Sequence, residues 1–224
     1  MHKIKTYNAI SKKGLTRFRR DEFQVDADIT DADAILLRSH KLDASAIGKG
    51  LKAVARAGAG TNNVPVDACT QAGVVVFNTP GANANAVKEL VLCGLLLASR
   101  GIIPGIGFAS TQTAIKDEAE LSKLMEQEKK RFKGSEISGK TLGVIGLGAI
   151  GSLVAEMAID LGMNVQGYDP ALSVDAAWRL PSKVRRKENI ASLVASSDFI
   201  SLHLPVLDST RNLINAEIFA SMKD

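Results

Sequence analysis

The chain has 224 residues, 46% of them hydrophobic and 23% charged, the balance of an ordinary globular protein with room for one large domain or two small ones. A net charge of +4 is compatible with a small anionic substrate but too modest to argue for nucleic acid, and the scarce aromatic residues suggest no base-stacking surface; no nucleic-acid partner is expected. No uninterrupted apolar run reaches the roughly 18 residues of a membrane span, the N-terminal MHKIKTYNAI lacks a signal-peptide core, and the only cysteines, Cys69 and Cys93, read as free buried thiols; the expectation is a cytoplasmic protein with no membrane partner.

Lys3 to Ile10 alternates as a first strand, Ser11 to Arg19 is a weak helix or a loop, and Ala34 to Leu37 is a short buried strand ending at Arg38-Ser39. Asp43 to Lys49 reads as a short helix capped by Asp43 and stopped by Gly50. Leu51 to Arg56 is a strand leading into Ala57-Gly58-Ala59-Gly60. Pro65 to Ala72 is a helix, and Val74 to Phe77 is a buried strand leading into Asn78-Thr79-Pro80-Gly81. Short strands alternating with short helices predict a parallel sheet covered by helices, here a flavodoxin-like α/β domain over residues 1–100. In such sheets ligands sit beyond the carboxyl ends of the strands. Arg38 offers a planar fork of donors for an anion, against the alternative of a surface ion pair. The glycine loop offers backbone N–H groups, against the alternative of a tight turn.

Asn85 to Arg100 is the clearest helix and is apolar nearly all round, which predicts burial. Ile102 to Thr113 is Gly-rich and reads as irregular, and Glu118 to Phe132 reads as a charged helix. Residues 101–137 therefore connect the first domain to a second, over 138–224, that opens with SGKTLGVIGLGAIGSLVAEMAIDLGMNVQGYDP. Thr141 to Ile145 is a buried strand, and Gly146, Gly148 and Gly151 form a G-x-G-x-x-G array. Ile150 to Leu161 is a helix stopped by Gly162, and Met163 to Tyr168 is a second strand ending at Asp169. The first glycine permits a tight turn, the second lets backbone approach a pyrophosphate, and the third lets helix and strand pack closely. Free N–H groups and the helix dipole favour an anion at that helix start. Asp169, 18 residues past Gly151, is placed to accept hydrogen bonds from both ribose hydroxyls and to repel a 2′-phosphate, so NAD is favoured over NADP. A glycine turn that merely packs a helix on a sheet is the bland alternative. Preceding strand, following helix, second strand and terminal acid together favour the dinucleotide.

Beyond Asp169, a loop holds Trp178, and Lys183, Arg185, Arg186 and Lys187 read as a basic surface. Ile190 to Ala195 is a short helix, Phe199 to Leu202 is a strand ending at His203-Leu204-Pro205, and Thr210 to Met222 is a last helix. His203 stands at a strand end facing the cofactor, but no nearby carboxylate is placed to orient it. A packing or cofactor-rim role is expected.

RSHKLD at 38–43, RAGAGTNNVPVDACTQAGVVVFNTPGANANAVKEL at 56–90, GKTLGVIGLGAIG at 139–151, YDP at 168–170 and SLHLPVLDSTRNLIN at 201–215 resemble the D-isomer-specific 2-hydroxyacid dehydrogenases. The resemblance implies a substrate domain, a Rossmann-type NAD domain and a small phosphorylated 2-hydroxy acid as substrate. It also implies a homodimer or homotetramer. It places Arg38 and Ser39 on the substrate phosphate and the amides of Ala57 and Gly58 on its carboxylate. Thr79 would lie by the nicotinamide, Ala149 and Ile150 on the pyrophosphate, Asp169 on the adenosine ribose, and Leu204 and Pro205 at the cofactor rim. Ala149 stands where some members carry Arg or His, and Leu204 where relatives carry Thr. The catalytic Arg, Glu and His of the family, and the later strands of its cofactor sheet, are expected beyond Asp224, so the Rossmann domain reads as truncated and the chain as inactive alone. Another D-2-hydroxyacid dehydrogenase, or a noncatalytic NAD-binding or dimerising module, is the alternative. No metal site is expected.

Overall fold

A computed structural model describes residues 1–223. The chain divides into two units, Met1–Asn83 and Ala84–Asp224.

The first unit runs β1 (His2–Thr6), α1 (Lys12–Leu15), β2 (Phe23–Asp26), β3 (Ala34–Leu37), β4 (Ala53–Arg56), α2 (Val66–Gln71) and β5 (Val75–Asn78). Its five strands are all parallel, in the order β2-β1-β3-β4-β5. This is the flavodoxin-like order, in which winding reverses between the first and third strands. Ile35 and Leu37 of β3, Val54 of β4 and Cys69 of α2 form the buried heart of the unit with Leu42, Leu51, Val64 and Val74. Several boundaries differ from the sequence reading. Phe23–Asp26, a strand the apolar pattern missed, pairs with β1 and has only half its residues partly covered. The Asp43 helix is one 3-10 turn, Ala44–Ala46, although Asp43 caps it as expected by accepting from Ser45 N–H. β5 is an edge strand rather than a buried one: Val75 and Phe77 are 52% and 58% exposed.

The second unit begins with α3 (Ala84–Ser99), which packs on the later glycine-turn helix and so falls outside the first unit. Only Ala84, Leu95 and Ser99 of α3 are buried, and Leu90 is 71% exposed, so the all-round burial predicted from its apolar composition does not hold. The Gly-rich stretch after it is helical: α4 spans Ile102–Ser110, at 68° to α3. Pro104 is tolerated there because the first-turn N–H groups of a helix have no intrahelical acceptor. α5 (Glu118–Glu128) is capped by Asp117, which accepts from Glu120 N–H, and continues as a 3-10 turn, Lys129–Phe132. Among the described residues no single helix is long and apolar enough to cross a membrane.

Then follow β6 (Thr141–Ile145), α6 (Ala149–Asp160), β7 (Asn164–Tyr168), α7 (Val174–Trp178), β8 (Arg185–Arg186), α8 (Ile190–Val194), β9 (Phe199–Leu202) and α9 (Ala216–Ala220). The strands are parallel, in the order β8-β7-β6-β9, with β6 the best buried. Val144, Val154, Ala155, Ala158 and Val165 close the core between β6, α6 and β7. Arg185 and Arg186, read as plain surface, pair as a short edge strand with β7. The last helix is a single turn and a half started by Asn215, not the longer helix expected from residue 210, because Asn212 takes a left-handed turn (φ 56°) first. Winding here reverses between β6 and β9, so this sheet too has one switch point at its carboxyl edge.

Candidate dinucleotide site and anion loop

The second unit's switch point holds the glycine turn. Gly146 has φ +89°, a conformation side chains avoid, and its N–H donates to Tyr168 O across the strand ends. A Cβ on Gly151 would lie 1.9 Å from Gly146 O, so α6 starts as close to the turn as two backbones allow. A Cβ on Gly148 would meet nothing within 4 Å: the protein leaves that side of the turn open. Gly148 is the N-cap of α6 and offers no side-chain cap, so the amides of Ala149, Ile150 and Gly151 begin the helix without an internal acceptor. Two glycines forced by packing and one left open make a cradle that fits a pyrophosphate at a helix start.

Asp169 lies at the end of β7, as its spacing requires, and is half-buried. Its Oδ2 accepts from Leu147 N–H at 2.8 Å and its Oδ1 from Ala171 N–H at 2.9 Å. The carboxylate is therefore not free to devote itself to a ribose. Each oxygen keeps one lone pair for a hydroxyl while its other holds the turn. Leu204 packs over Gly146, its Cδ2 2.9 Å from where a Cβ there would stand, and joins the apolar group around Ile145, Leu193 and Val194. Pro205 is exposed, and its carbonyl accepts from Thr210 Oγ1 at 2.6 Å, which closes the loop after β9. His203 shares a hydrogen bond with Ser201 Oγ at 2.8 Å, and burial pushes its imidazole below the usual range. Among the described residues no carboxylate bonds to it. The ring is half-buried and tied to a serine at the strand end.

The first unit's switch point is built differently. Arg38 and Ser39 follow β3 and are exposed. The Ala57–Gly60 loop follows β4, and Thr79 follows β5, its N–H donating to Gly58 O at 2.9 Å. Thr79, assigned to the cofactor from sequence, thus sits in the first unit with the residues assigned to substrate. The amides of Ala57 and Gly58, expected to hold a carboxylate, are already used: Ala57 N–H donates to Leu37 O and Gly58 N–H to Arg56 O. The loop folds back on β4 with Gly58 at φ +153°, and the Arg56 guanidinium lies so close that a Cβ on Gly58 would be 1.7 Å from Nη1. Among the described residues, the loop amides with no acceptor are those of Ala59 and Gly60. Sequence spacing located the loop, but the amides it exposes lie two residues further on.

Sequence reasoning also missed Asn8 and Asn63. Asn8 Oδ1 accepts from Ser39 N–H at 3.1 Å and from His40 N–H at 2.7 Å. Asn63 Nδ2 donates to Arg38 O at 3.1 Å and to His40 O at 2.7 Å. The one sequence signal was that Asn tolerates left-handed backbone, and Asn8 has φ 65°.

Two parallel sheets, each with its ligand-facing residues at a switch point, one of them a glycine cradle at a helix start with an acid on the next strand, define an α/β protein of the dinucleotide-binding class. Residues 107–224 match the family model of the D-isomer specific 2-hydroxyacid dehydrogenase NAD binding domain, and the chain belongs to that family, with NAD as its cofactor. It is 41% identical over 198 residues to a D-3-phosphoglycerate dehydrogenase of Methanocaldococcus jannaschii, covering 87% of this chain and 35% of that protein. It is 41% identical over 199 residues to a hydroxypyruvate reductase of Thermotoga maritima, covering 88% of this chain and 59% of that protein. The chain thus spans between about a third and three-fifths of these curated relatives. The structure of NAD+-bound 3-phosphoglycerate dehydrogenase from Entamoeba histolytica superposes with a TM-score of 0.73 at 26% identity, covering 99% of this chain and 68% of that one.

Proposed function

We propose that the protein is an NAD-dependent dehydrogenase of a small phosphorylated 2-hydroxy acid, oxidising D-3-phosphoglycerate to 3-phosphohydroxypyruvate, the entry reaction of serine biosynthesis. The observation that carries this reading is the exposed Arg38 and Ser39 at the carboxyl end of β3, beside the glycine loop after β4. A guanidinium with a hydroxyl next to it suits a phosphate better than a bare carboxylate substrate requires. The relatives named D-3-phosphoglycerate dehydrogenase support the same substrate.

Oxidation of a 2-hydroxy acid removes a hydride from the carbinol carbon and a proton from its oxygen; NAD supplies the hydride acceptor. In this reading the amides at the start of α6 hold the pyrophosphate and Asp169 the adenosine ribose. Leu204 and Pro205 shape the cofactor rim, and Thr79 the nicotinamide side. Arg38 and Ser39 hold the phosphate, and Ala59 and Gly60 take the carboxylate role first given to Ala57 and Gly58. His203, bonded to Ser201 and with its pKa lowered by burial, packs rather than transfers the proton. Self-association belongs to the proposal, supported by Ile103 and Ile106 of α4, each 61% exposed.

The test is NADH formation by the protein carrying this chain, with and without Arg38→Ala. Activity on 3-phosphoglycerate should fall about 10- to 100-fold, the cost of a lost charged hydrogen bond, while unphosphorylated 2-hydroxy acids are spared. Equal loss on both would move the reading to another 2-hydroxy acid, as the hydroxypyruvate reductase relative suggests. NAD binding without turnover on any 2-hydroxy acid would favour a noncatalytic module.

A further inference from the structure

The segment Arg38–His40 has no helix or strand to hold it, yet four of its main-chain groups are held by side chains: the N–H groups of Ser39 and His40 and the carbonyls of Arg38 and His40. Two bonds reach it from the loop after β1 through Asn8 Oδ1, and two from the loop after β4 through Asn63 Nδ2. The His40 ring stacks on Tyr7 at 4.1 Å and 6° between planes. The two asparagines act on opposite polarities. Asn8 takes the N–H groups of Ser39 and His40, and Asn63 takes the carbonyls of Arg38 and His40. Neither amide can be reversed. Turned round, Asn8 would aim its NH2 at two N–H donors, and Asn63 its oxygen at two carbonyl oxygens. Asn63 Oδ1 is left buried without a partner, a desolvation cost accepted to keep its NH2 on the segment.

The consequence reaches the anion. With the Ser39 and His40 amides turned toward Asn8, the segment cannot wrap a phosphate in backbone N–H groups as a helix start does. It presents side chains, Arg38 and the Ser39 hydroxyl, from a fixed base. Fixing that base beforehand removes ordering cost from the binding step.

We propose that Asn8 and Asn63 are positioning residues that clamp the Arg38–His40 segment from both sides, and that this clamp sets affinity for the substrate's phosphate. The inference rests on the phosphate reading of Arg38 and Ser39. Asn8→Gly removes the acceptor while relieving the left-handed backbone, so it is expected to fold. Asn8→Asp keeps an acceptor at the same place. Asn63→Asp puts an oxygen against two carbonyls. The probe is 3-phosphoglycerate titrated into the full chain, followed by amide NMR shifts, with D-glycerate as the ligand lacking phosphate. Asn8→Gly and Asn63→Asp should each weaken 3-phosphoglycerate about tenfold, while Asn8→Asp stays within about threefold of the parent and D-glycerate binding is unchanged by Asn8→Gly. If Arg38→Ala weakens 3-phosphoglycerate but Asn8→Gly does not, the clamp is overturned and the phosphate reading stands. If Arg38→Ala has no effect, or the parent chain does not bind 3-phosphoglycerate, the phosphate reading falls and the clamp with it. If Asn8→Gly weakens both ligands alike, the asparagine serves the fold alone and the proposal is overturned.

Discussion

The two switch points of this chain present free polar groups beyond a parallel sheet, but from opposite materials. After β6 the free groups are backbone amides, left open because Gly148 carries no side chain to cap α6 or to fill the space beside it. After β3 and β4 most backbone amides are consumed internally, and the groups left open are Arg38, Ser39 and two amides further along the loop. A backbone site tolerates little change in the residues that shape it but is indifferent to most side chains around it. A side-chain site is easily retuned, provided its base is held.

Gly151 and Gly58, one packed against each site, test that contrast most severely. Gly151→Ala drives a methyl into Gly146 O, which is backbone and cannot step aside; NAD affinity should fall at least about 100-fold, read as loss of the NAD-dependent rise in melting temperature. Gly58→Ala meets the far end of a flexible Arg56, so beyond the strain of its φ its effect on anion binding should be clearly smaller. Equal losses would erase the distinction between the two sites. A milder change is Asp169→Asn, which keeps the acceptor for one amide but removes the charge. NAD affinity should drop about 10-fold and the preference over NADP should shrink, measured by titrating both cofactors. An unchanged preference would remove Asp169 from the ribose.

The smallest effect compares the sheets' other ends. Asp33 accepts from Lys52 Nζ and Lys3 N–H, chiefly the former, which lowers its carboxyl to about 2. Asp198 accepts from Thr141 N–H and Lys223 Nζ, and its carboxyl is lowered too, with the backbone bond the larger cause. A carboxyl depressed on folding stabilises above its unfolded value and loses that contribution as pH falls through the folded one. Asp33 therefore supports the first unit down to about pH 4 and releases it by about pH 2. In an acid titration, Asp33→Asn should flatten the stability loss of the first unit over that window and leave the second unit's loss in place. An identical acid profile in the variant would show that the Lys52 pair contributes nothing.

Much of the second unit was legible because its site is written in local spacing. Gly146, Gly148, Gly151 and Asp169 lie within one strand–helix–strand passage, and each has a reason that spacing alone supplies. The first unit's alternation of strand and helix was legible too, but its site was not. Asn8 and Asn63 act on Arg38–His40 from 30 and more, and about 25, residues away. No periodicity links them, and only the packing of β1, β3 and β4 side by side brings them together. The missed pieces share a cause. β2 and β8 are edge strands with little apolar signal, and α4 was hidden by its glycines, although of Gly101, Gly105 and Gly107 just the cap residue Gly101 is forced, by the Phe132 backbone 2.7 Å from where its Cβ would stand. Val75 and Phe77 misled in the other direction, since apolar residues on an edge strand look like core until the sheet order is known.

Each Asp169 oxygen holds the turn with one lone pair and keeps another free. That double duty makes the Leu147 amide an internal gauge. Its proton is held by the carboxylate in a buried turn, so its protection from exchange with solvent reports how firmly the cradle stands assembled before any dinucleotide arrives. A ligand that draws the carboxylate toward its own hydroxyls must share it with this amide, and the exchange rate at Leu147 would register that competition residue by residue and second by second.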